Sequence, residues 1–297
     1  MEHPYYGQIQ CRALRKNGQC PNKAYYMKDD NYFCGVHAKS PRIELQKDPN
    51  TAVKKIAGEG ARKKLADEVA TQNKKARVRG SVIVTKIYMM KVVEYVPGYI
   101  SVFPNYRHGN RSDGIGCATL SPMSMCNIDT AQPGLPLASS LENAHQAAKV
   151  FPSEVGKNGE PLPIFFKTQL QMYKDTKPQR HKYASKDSAG KRIAPLYSVW
   201  RNANGVLKKF TYVESRQFYC NWYERCAQVL PEYKKLMDLL DQGYNLQICG
   251  YDGYEVTDVA HHYLDPSRPF GHELVLYTML VVPEANWPWR IHKTEEF

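Results

Sequence analysis

The sequence predicts an α+β fold, a mainly helical body with a few strands behind a small cysteine-rich N-terminal module. Three observations carry this expectation. Apolar residues step by three and four through Phe218, Trp222, Cys226 and Val229, then through Tyr233, Leu236, Met237 and Leu240, the stripe of core-facing helices. Ser81–Val96 and Leu246–Tyr254 are dense in β-branched and aromatic residues, as strands are. Three of the eight cysteines fall within residues 11–34, apart from the rest.

With 297 residues, of which 42% are apolar and 24% charged, the chain can bury a sizeable core, and wholesale disorder is excluded. One large domain plus a small one is the natural division. No run approaches eighteen apolar residues, so no membrane-spanning helix and no membrane partner are expected. Met1-Glu2-His3-Pro4 lacks the features of a secretory signal. An intracellular, reducing compartment with free thiols follows as the expectation.

The net charge is +12, and it is unevenly placed: residues 1–80 hold 17 basic and 8 acidic side chains, residues 81–297 hold 24 and 21. A basic N-terminal part beside a nearly balanced body points to nucleic acid or another polyanion as partner. A merely solvated basic surface is the alternative.

In residues 1–40 the spacing is Cys11-x8-Cys20-x13-Cys34-x2-His37. Zinc favours thiolate sulfur and imidazole nitrogen in a tetrahedron, and four protein ligands leave no open position. The expectation is therefore a structural zinc site. The x8 gap is wider than in standard fingers. Tyr25, Tyr26, Met27, Tyr32 and Phe33 are the expected minimal core. Asn17-Gly18, Asp29-Asp30-Asn31 and Cys34-Gly35 are the expected turns. Residues 41–80 read as a basic connector, carrying Lys54, Lys55, Arg62, Lys63, Lys64, Lys74, Lys75, Arg77 and Arg79. Part of it could be helical, with Leu65 and Val69 four apart, but Gly58 and Gly60 interrupt it.

The body spans residues 81–297. After one or two strands in Ser81–Val96 and a turn at Pro97-Gly98, Tyr99–Ser139 reads as a long irregular segment rich in Gly, Pro, Ser and Asn, the kind that builds binding sites. It holds Tyr106, Arg107, His108, Arg111 and Asp113. Ser139 or Ser140 starts a helix Leu141–Val150, Ser139-x-x-Glu142 fitting a capping box, with Glu142, His145, Gln146 and Lys149 on one face. Ile164–Tyr173 is a second helix. Thr176–Lys209 is polar and basic, anchored by Tyr197 and Trp200. Tyr212–Asp241 is helical with a break at Pro231. Leu246–Tyr254 runs as a strand into a loop with Asp252 near its end, and His261-His262 reads as loop. Glu273–Val282 is an apolar helix, and Trp287 and Trp289 pin the tail. Phosphate-loop, dinucleotide, zinc-protease and serine-hydrolase motifs are absent from the sequence.

Ser140-Leu141-Glu142-Asn143-Ala144-His145-Gln146-Ala147-Ala148-Lys149 resembles the NADAR family pattern of a Ser followed by Glu-His-Ala-aromatic-Gln-Ala-x-Lys. Glu142, Gln146 and Lys149 are kept, while Asn143 replaces the usual His and His145 the aromatic. Leu120-Ser121-Pro122-Met123 stands where that family has Leu-Ser-Asn-Phe. Leu239-Leu240-x-x-Gly243-x-x-Leu246 is similar to its Leu-Leu-x-Thr-Gly region. Gly271-His272-Glu273-Leu274-Val275-Leu276-x-x-Met279-Leu280 resembles its closing helix, without that helix's Asn and second Gly. The likeness covers residues 99–283.

The resemblance implies a NADAR-like body and an N-glycosidase, acting on a phosphorylated riboflavin-pathway intermediate or removing ADP-ribose from guanine in nucleic acid. It implies Glu142 as the key acid. The chemistry of the residue types adds further candidates. Lys149, Arg107 and Arg111 suit phosphate, Tyr251 and Tyr254 suit a stacked base, and Asp252 suits the departing base or sugar. His145 and Gln146 share the helix face. Two other readings stay open. One is a catalytically inactive NADAR-like packaging protein in a capsid or virion, since this combination resembles proteins of large DNA viruses and departs from the pattern at Pro122, Asn143 and His272–Glu273. The other is a nucleic-acid-binding protein whose body positions the zinc module.

Overall fold

The computed structural model describes residues 10–15, 18–20, 22, 24–29, 31–34, 36–38, 43–45, 49–89, 92–185, 188 and 190–294. Asn17, Asp30 and Gly35, expected in turns, lie outside them, as do the side chains of Lys54 and Lys55. The fold is α+β with more helix than sheet, and the chain divides into two compact units, residues 1–61 and 62–297.

The first unit holds short strands β1 (Leu14–Arg15), β2 (Gly18–Gln19), β3 (Tyr26–Lys28), β4 (Asn31–Phe33) and β5 (Ile43–Glu44). β1 and β2 form a hairpin, and β3 pairs antiparallel with both β4 and β5. The expected aromatic core is corrected: Tyr25, Tyr26, Met27, Tyr32 and Phe33 are only half-buried. Cys11, Cys20 and Cys34 are buried instead, together with Ala24, Ala38 and Leu45. Strands this short cannot cover large rings, so the thiols occupy the centre.

Helix α1 runs Pro49–Ala76. Gly58 and Gly60 do not interrupt it, contrary to expectation: each costs only about 1 kcal/mol against Ala, and the surrounding Ala and Lys are strong helix formers. Its apolar face is also not the one expected. Leu65 is exposed, while Ala66 and Ala70 are buried. Asn73 donates to the Gly243 carbonyl at 2.7 Å and Tyr244 donates to Asp67 at 2.9 Å.

The second unit continues with β6 (Val82–Lys86), β7 (Tyr99–Phe103), β8 (Ile115–Gly116), α2 (Leu141–Ala147), β9 (Lys149–Val150) and α3 (Pro163–Lys174). Then follow β10 (Tyr197–Arg201), β11 (Leu207–Phe210), α4 (Arg216–Gln228), α5 (Pro231–Asp241), β12 (Asn245–Gly250), α6 (Val259–Leu264), α7 (His272–Val281) and α8 (Pro288–Ile291). β6, β12, β7 and β8 lie in that order in one sheet, all parallel. β11, β10 and β9 form a second, antiparallel sheet. The core joins Val102, Leu246 and Ile248 of the parallel sheet to Leu141 and Ala147 of α2, Tyr223 of α4, and Leu274 and Leu276 of α7.

Several expectations need correction here. The segment 99–139 is not wholly irregular, since its first residues form β7 and Ile115–Gly116 form β8. The helix from Leu141 stops at Ala147, because Lys149 and Val150 pair with Ser198 and Tyr197. Of the two expected starts the cap is Ser140, which accepts the Asn143 N–H at 3.1 Å; Ser139 binds the Asp175 carbonyl, so the expected capping box is not formed. Val229 is not on the buried stripe: it caps the end of α4 and is 81% exposed. His261 and His262 are helical, in α6, where Asp258 accepts the His261 N–H at 3.0 Å. Trp287 and Trp289 are buried, and the Trp289 indole donates to Glu224 at 2.7 Å.

Candidate metal centre and acid-lined site

Cys11, Cys20, Cys34 and His37 meet: their ligand atoms all lie within 4.8 Å of one another. The wide x8 gap is the β1–β2 hairpin, closed by Cys20 N–H to the Ala13 carbonyl at 2.8 Å. His37 and Ala38 N–H both donate to the Cys34 carbonyl. Nδ1 of His37 faces the sulfurs, 3.3 Å from Cys34 Sγ and 3.5 Å from Cys11 Sγ. Ligand atoms on a tetrahedral zinc sit roughly 3.5–3.8 Å apart, so the cluster is suited to a metal ion. Burial alone would raise the Cys34 thiol, yet the His37 N–H, the Asn22 amide and the Val36 N–H outweigh it and hold it down at about 6. That favours the thiolate a metal needs.

In the body, residues 120–125 are held against the start of α2 and against α4. The Glu142 N–H donates to the Pro122 carbonyl at 3.1 Å, the Leu141 N–H to that of Met125 at 2.9 Å, and Tyr223 Oη to that of Leu120 at 2.7 Å. Asn143 is fully buried and works as a pin, its amide bonding Ser139 and the carbonyls of Asp175 and Lys177, and its oxygen accepting the Gln179 N–H at 2.9 Å.

Glu142 is half-buried and accepts the Gln146 amide at 2.9 Å. Lys149 has left the helix, but the Glu142 charge still reaches it. Burial, aided by Arg180 and resisted by Glu142, pushes the Lys149 ammonium down to about 8. Burial and the charge of Lys149 keep His145 neutral, far below its ordinary range. The His145 ring packs on Tyr219, centroids 4.7 Å apart, and lines a recess with Trp200 and Trp222. Tyr219 is pushed well above the ordinary phenol range by burial, then by Glu142, Tyr223 and Glu273.

Glu273 is a functional candidate that the sequence reading did not single out. It is 1% exposed, in the first turn of α7. Its Oε2 lies 3.2 Å from His272 Nδ1 but makes no hydrogen bond among the described residues. His272 Nε2 in turn sits 3.0 Å from the Pro104 carbonyl, which can only accept. Gly250, at the carboxyl end of β12, leaves room for this carboxylate: a Cβ there would meet Glu273 Cγ at 2.1 Å. The signal available in the sequence was an acid where an amide was expected, downstream of a strand ending in Gly. Gly250→Ala is accordingly expected to destabilise the body by about 2–3 kcal/mol through overpacking, read as a lower urea midpoint at unchanged slope.

Asp252 is exposed, just past β12, with no hydrogen bond to its carboxylate among the described residues. A Cβ on Gly271 would lie 3.1 Å from Glu273 Oε2 and 3.6 Å from Asp252 Cβ, so the two acids are neighbours. Tyr251 Oη lies 3.4 Å from His108 Nε2. This grouping occupies the carboxyl ends of parallel strands, where open α/β sheets bind ligands.

The other candidates are committed elsewhere. Arg111 makes two bonds to Asp113, at 2.6 and 2.5 Å, and lies over the Phe103 ring. Arg107 is exposed and donates to Tyr106. Tyr254 donates to the Pro269 carbonyl at 3.1 Å, and burial raises it to about 12. No helix of the described residues is long and apolar enough to cross a membrane. Comparison with protein-family models, curated proteins and solved structures finds no match.

Proposed function

We propose that residues 81–297 form a NADAR-like N-glycosidase hydrolysing an ADP-ribosyl or phosphoribosyl-type N-glycosidic bond, with ADP-ribose on guanine in nucleic acid as the favoured substrate. The observations that carry this reading are a half-buried Glu142 held by the Gln146 amide at 2.9 Å and a buried Glu273, both of whose charges push the buried Tyr219 phenol up, while the Glu142 charge resists the lowering of Lys149. N-glycosidic cleavage passes through an oxocarbenium-like state, which a fixed carboxylate stabilises or attacks through activated water. Glu142 takes that role. Lys149 holds a phosphate, and exposed Asp252 meets the departing base or the sugar. Arg111 has no part, its guanidinium being spent on Asp113. The N-terminal Cys3His cluster binds structural zinc, and the basic residues 1–80 tether the enzyme to nucleic acid.

The test is incubation with DNA and RNA carrying ADP-ribose on guanine, beside a phosphorylated riboflavin-pathway N-glycoside, with products followed by mass spectrometry. Release of ADP-ribose or of the sugar phosphate supports the reading. Silence on all three substrates by folded protein defeats it. The pH profile adds a second check. Lys149 carries its charge below about pH 8 and loses it above, so kcat/KM is expected to fall as pH rises through 8. Lys149→Arg keeps the charge and should move that limb upward by two units or more, as roughly expected of a guanidinium.

A further inference from the structure

We propose that the cleft between the β10–β11 hairpin and α4 binds one base of a single-stranded nucleic acid. The cleft has a volume of about 150 Å³ and is lined by Trp200, Phe210 and Trp222 together with Arg201, Lys208 and Arg225; no carboxylate lines it. Its aromatic wall is fixed: Trp200 stacks on Phe218 with centroids 4.2 Å apart and planes 8° off parallel. Its hairpin wall is fixed too, the Arg201 N–H donating to Gln132 at 2.9 Å and the Arg201 guanidinium to the Gly205 carbonyl at 3.0 Å. Arg225 lies over the Trp222 ring, 4.8 Å from its centroid.

Two features define the ligand. Trp222 Nε1 is buried and has no hydrogen-bond partner among the described residues. An unmet buried donor is costly, and the carbonyls and ring nitrogens of a nucleobase are acceptors that would satisfy it. The volume falls below the roughly 300–1,000 Å³ of pockets that enclose a whole ligand, so one planar ring enters and the rest stays outside. Lys208 and Arg225 are exposed, where they meet phosphates on either side of an inserted base. Stacking faces joined to a cationic rim are how sequence-tolerant single-strand sites are built. The adjoining recess towards His145 and Tyr219 is about 20 Å³, too small for a ring, so the base rests in the outer cleft. None of Glu142, Lys149 and Glu273 lines the cleft, and the site does not depend on the glycosidase reading.

The experiment uses the full chain and a fluorescein-labelled DNA single strand of about ten nucleotides, a length typical of such sites. Anisotropy is measured across a salt series. The first unit contributes a common background, so variants are compared with wild type. Lys208→Gln/Arg225→Gln is expected to weaken binding about tenfold and to reduce the salt slope by about 1.4, the change expected when two phosphates of a single strand are no longer neutralised. Trp222→Phe keeps an aromatic face, though a smaller one, and removes the donor, and should weaken binding at least about threefold, the loss of one neutral hydrogen bond. Wild-type affinity and slope in the double variant would overturn the proposal. So would equal binding of an abasic strand, or a free mononucleotide binding as tightly as the strand. A silent glycosidase assay with strand binding intact would leave this site standing while removing the catalytic reading.

Discussion

Glu142→Gln is expected to lower the rate of N-glycoside hydrolysis about a thousandfold, within the range for removing a group that acts only on the transition state. The substitution is nearly isosteric. The amide oxygen of Gln can still accept from Gln146, which bonds Glu142 at 2.9 Å, so stability should change by less than about 1 kcal/mol. What is lost is the negative charge facing the developing cation. KM should move little, because a neutral substrate sugar gains little from that charge before the bond stretches. Single-turnover release of ADP-ribose, with a urea melt of the same preparation, separates the two effects. A variant that keeps its rate within about threefold would remove Glu142 from the chemistry. Glu273→Gln distinguishes the two carboxylates. If Glu273 shares the role, its loss should cost rate as well, whereas a purely packed Glu273 would show only in the melt.

The local signals were legible where periodicity suffices. The stripe through Phe218, Trp222 and Cys226 and the one through Leu236 and Leu240 mark α4 and α5, and Pro231 does open the second helix. What escaped was set by partners far along the chain. Lys149 and Val150 continue a helical pattern by sequence, but pairing with Tyr197 and Ser198 makes them a strand. That moves Lys149 off the face it was expected to share with Glu142. Tyr99–Phe103 looked like the edge of a loop because its pairing partner, β12, begins at Asn245. Among the candidate residues, Glu142 and Lys149 were picked out by a pattern of residue types, whereas Glu273 was not. Its importance lies in the space left by Gly250 on another element, and no local spacing reveals that. Arg111 shows the converse error: a residue type suited to phosphate, two positions from the acid that occupies it.

The second large effect concerns the first unit, which should lose its fold when metal is removed. Apart from the thiols of Cys11, Cys20 and Cys34, the buried side chains among its described residues outside α1 are Ala24, Ala38 and Leu45. Two alanines and one leucine remove too little apolar surface from water to order a segment of this length. Its strands are two or three residues long, far below what holds a sheet unaided. Structural zinc supplies about 10–16 kcal/mol in comparable small modules, enough to decide the matter. Mass spectrometry under native conditions should find one zinc per chain. Excess chelator should collapse the amide dispersion of residues 11–45 and expose that stretch to protease. Cys20→Ala should do the same with zinc present, since three ligands hold the ion far more weakly than four. The four tryptophans all lie in residues 200–289, so their fluorescence reports on the second unit separately and shows whether the collapse is local. Amide dispersion that survives complete removal of zinc would mean that buried thiols and short strand pairings suffice, and the cluster would then be packing, not coordination.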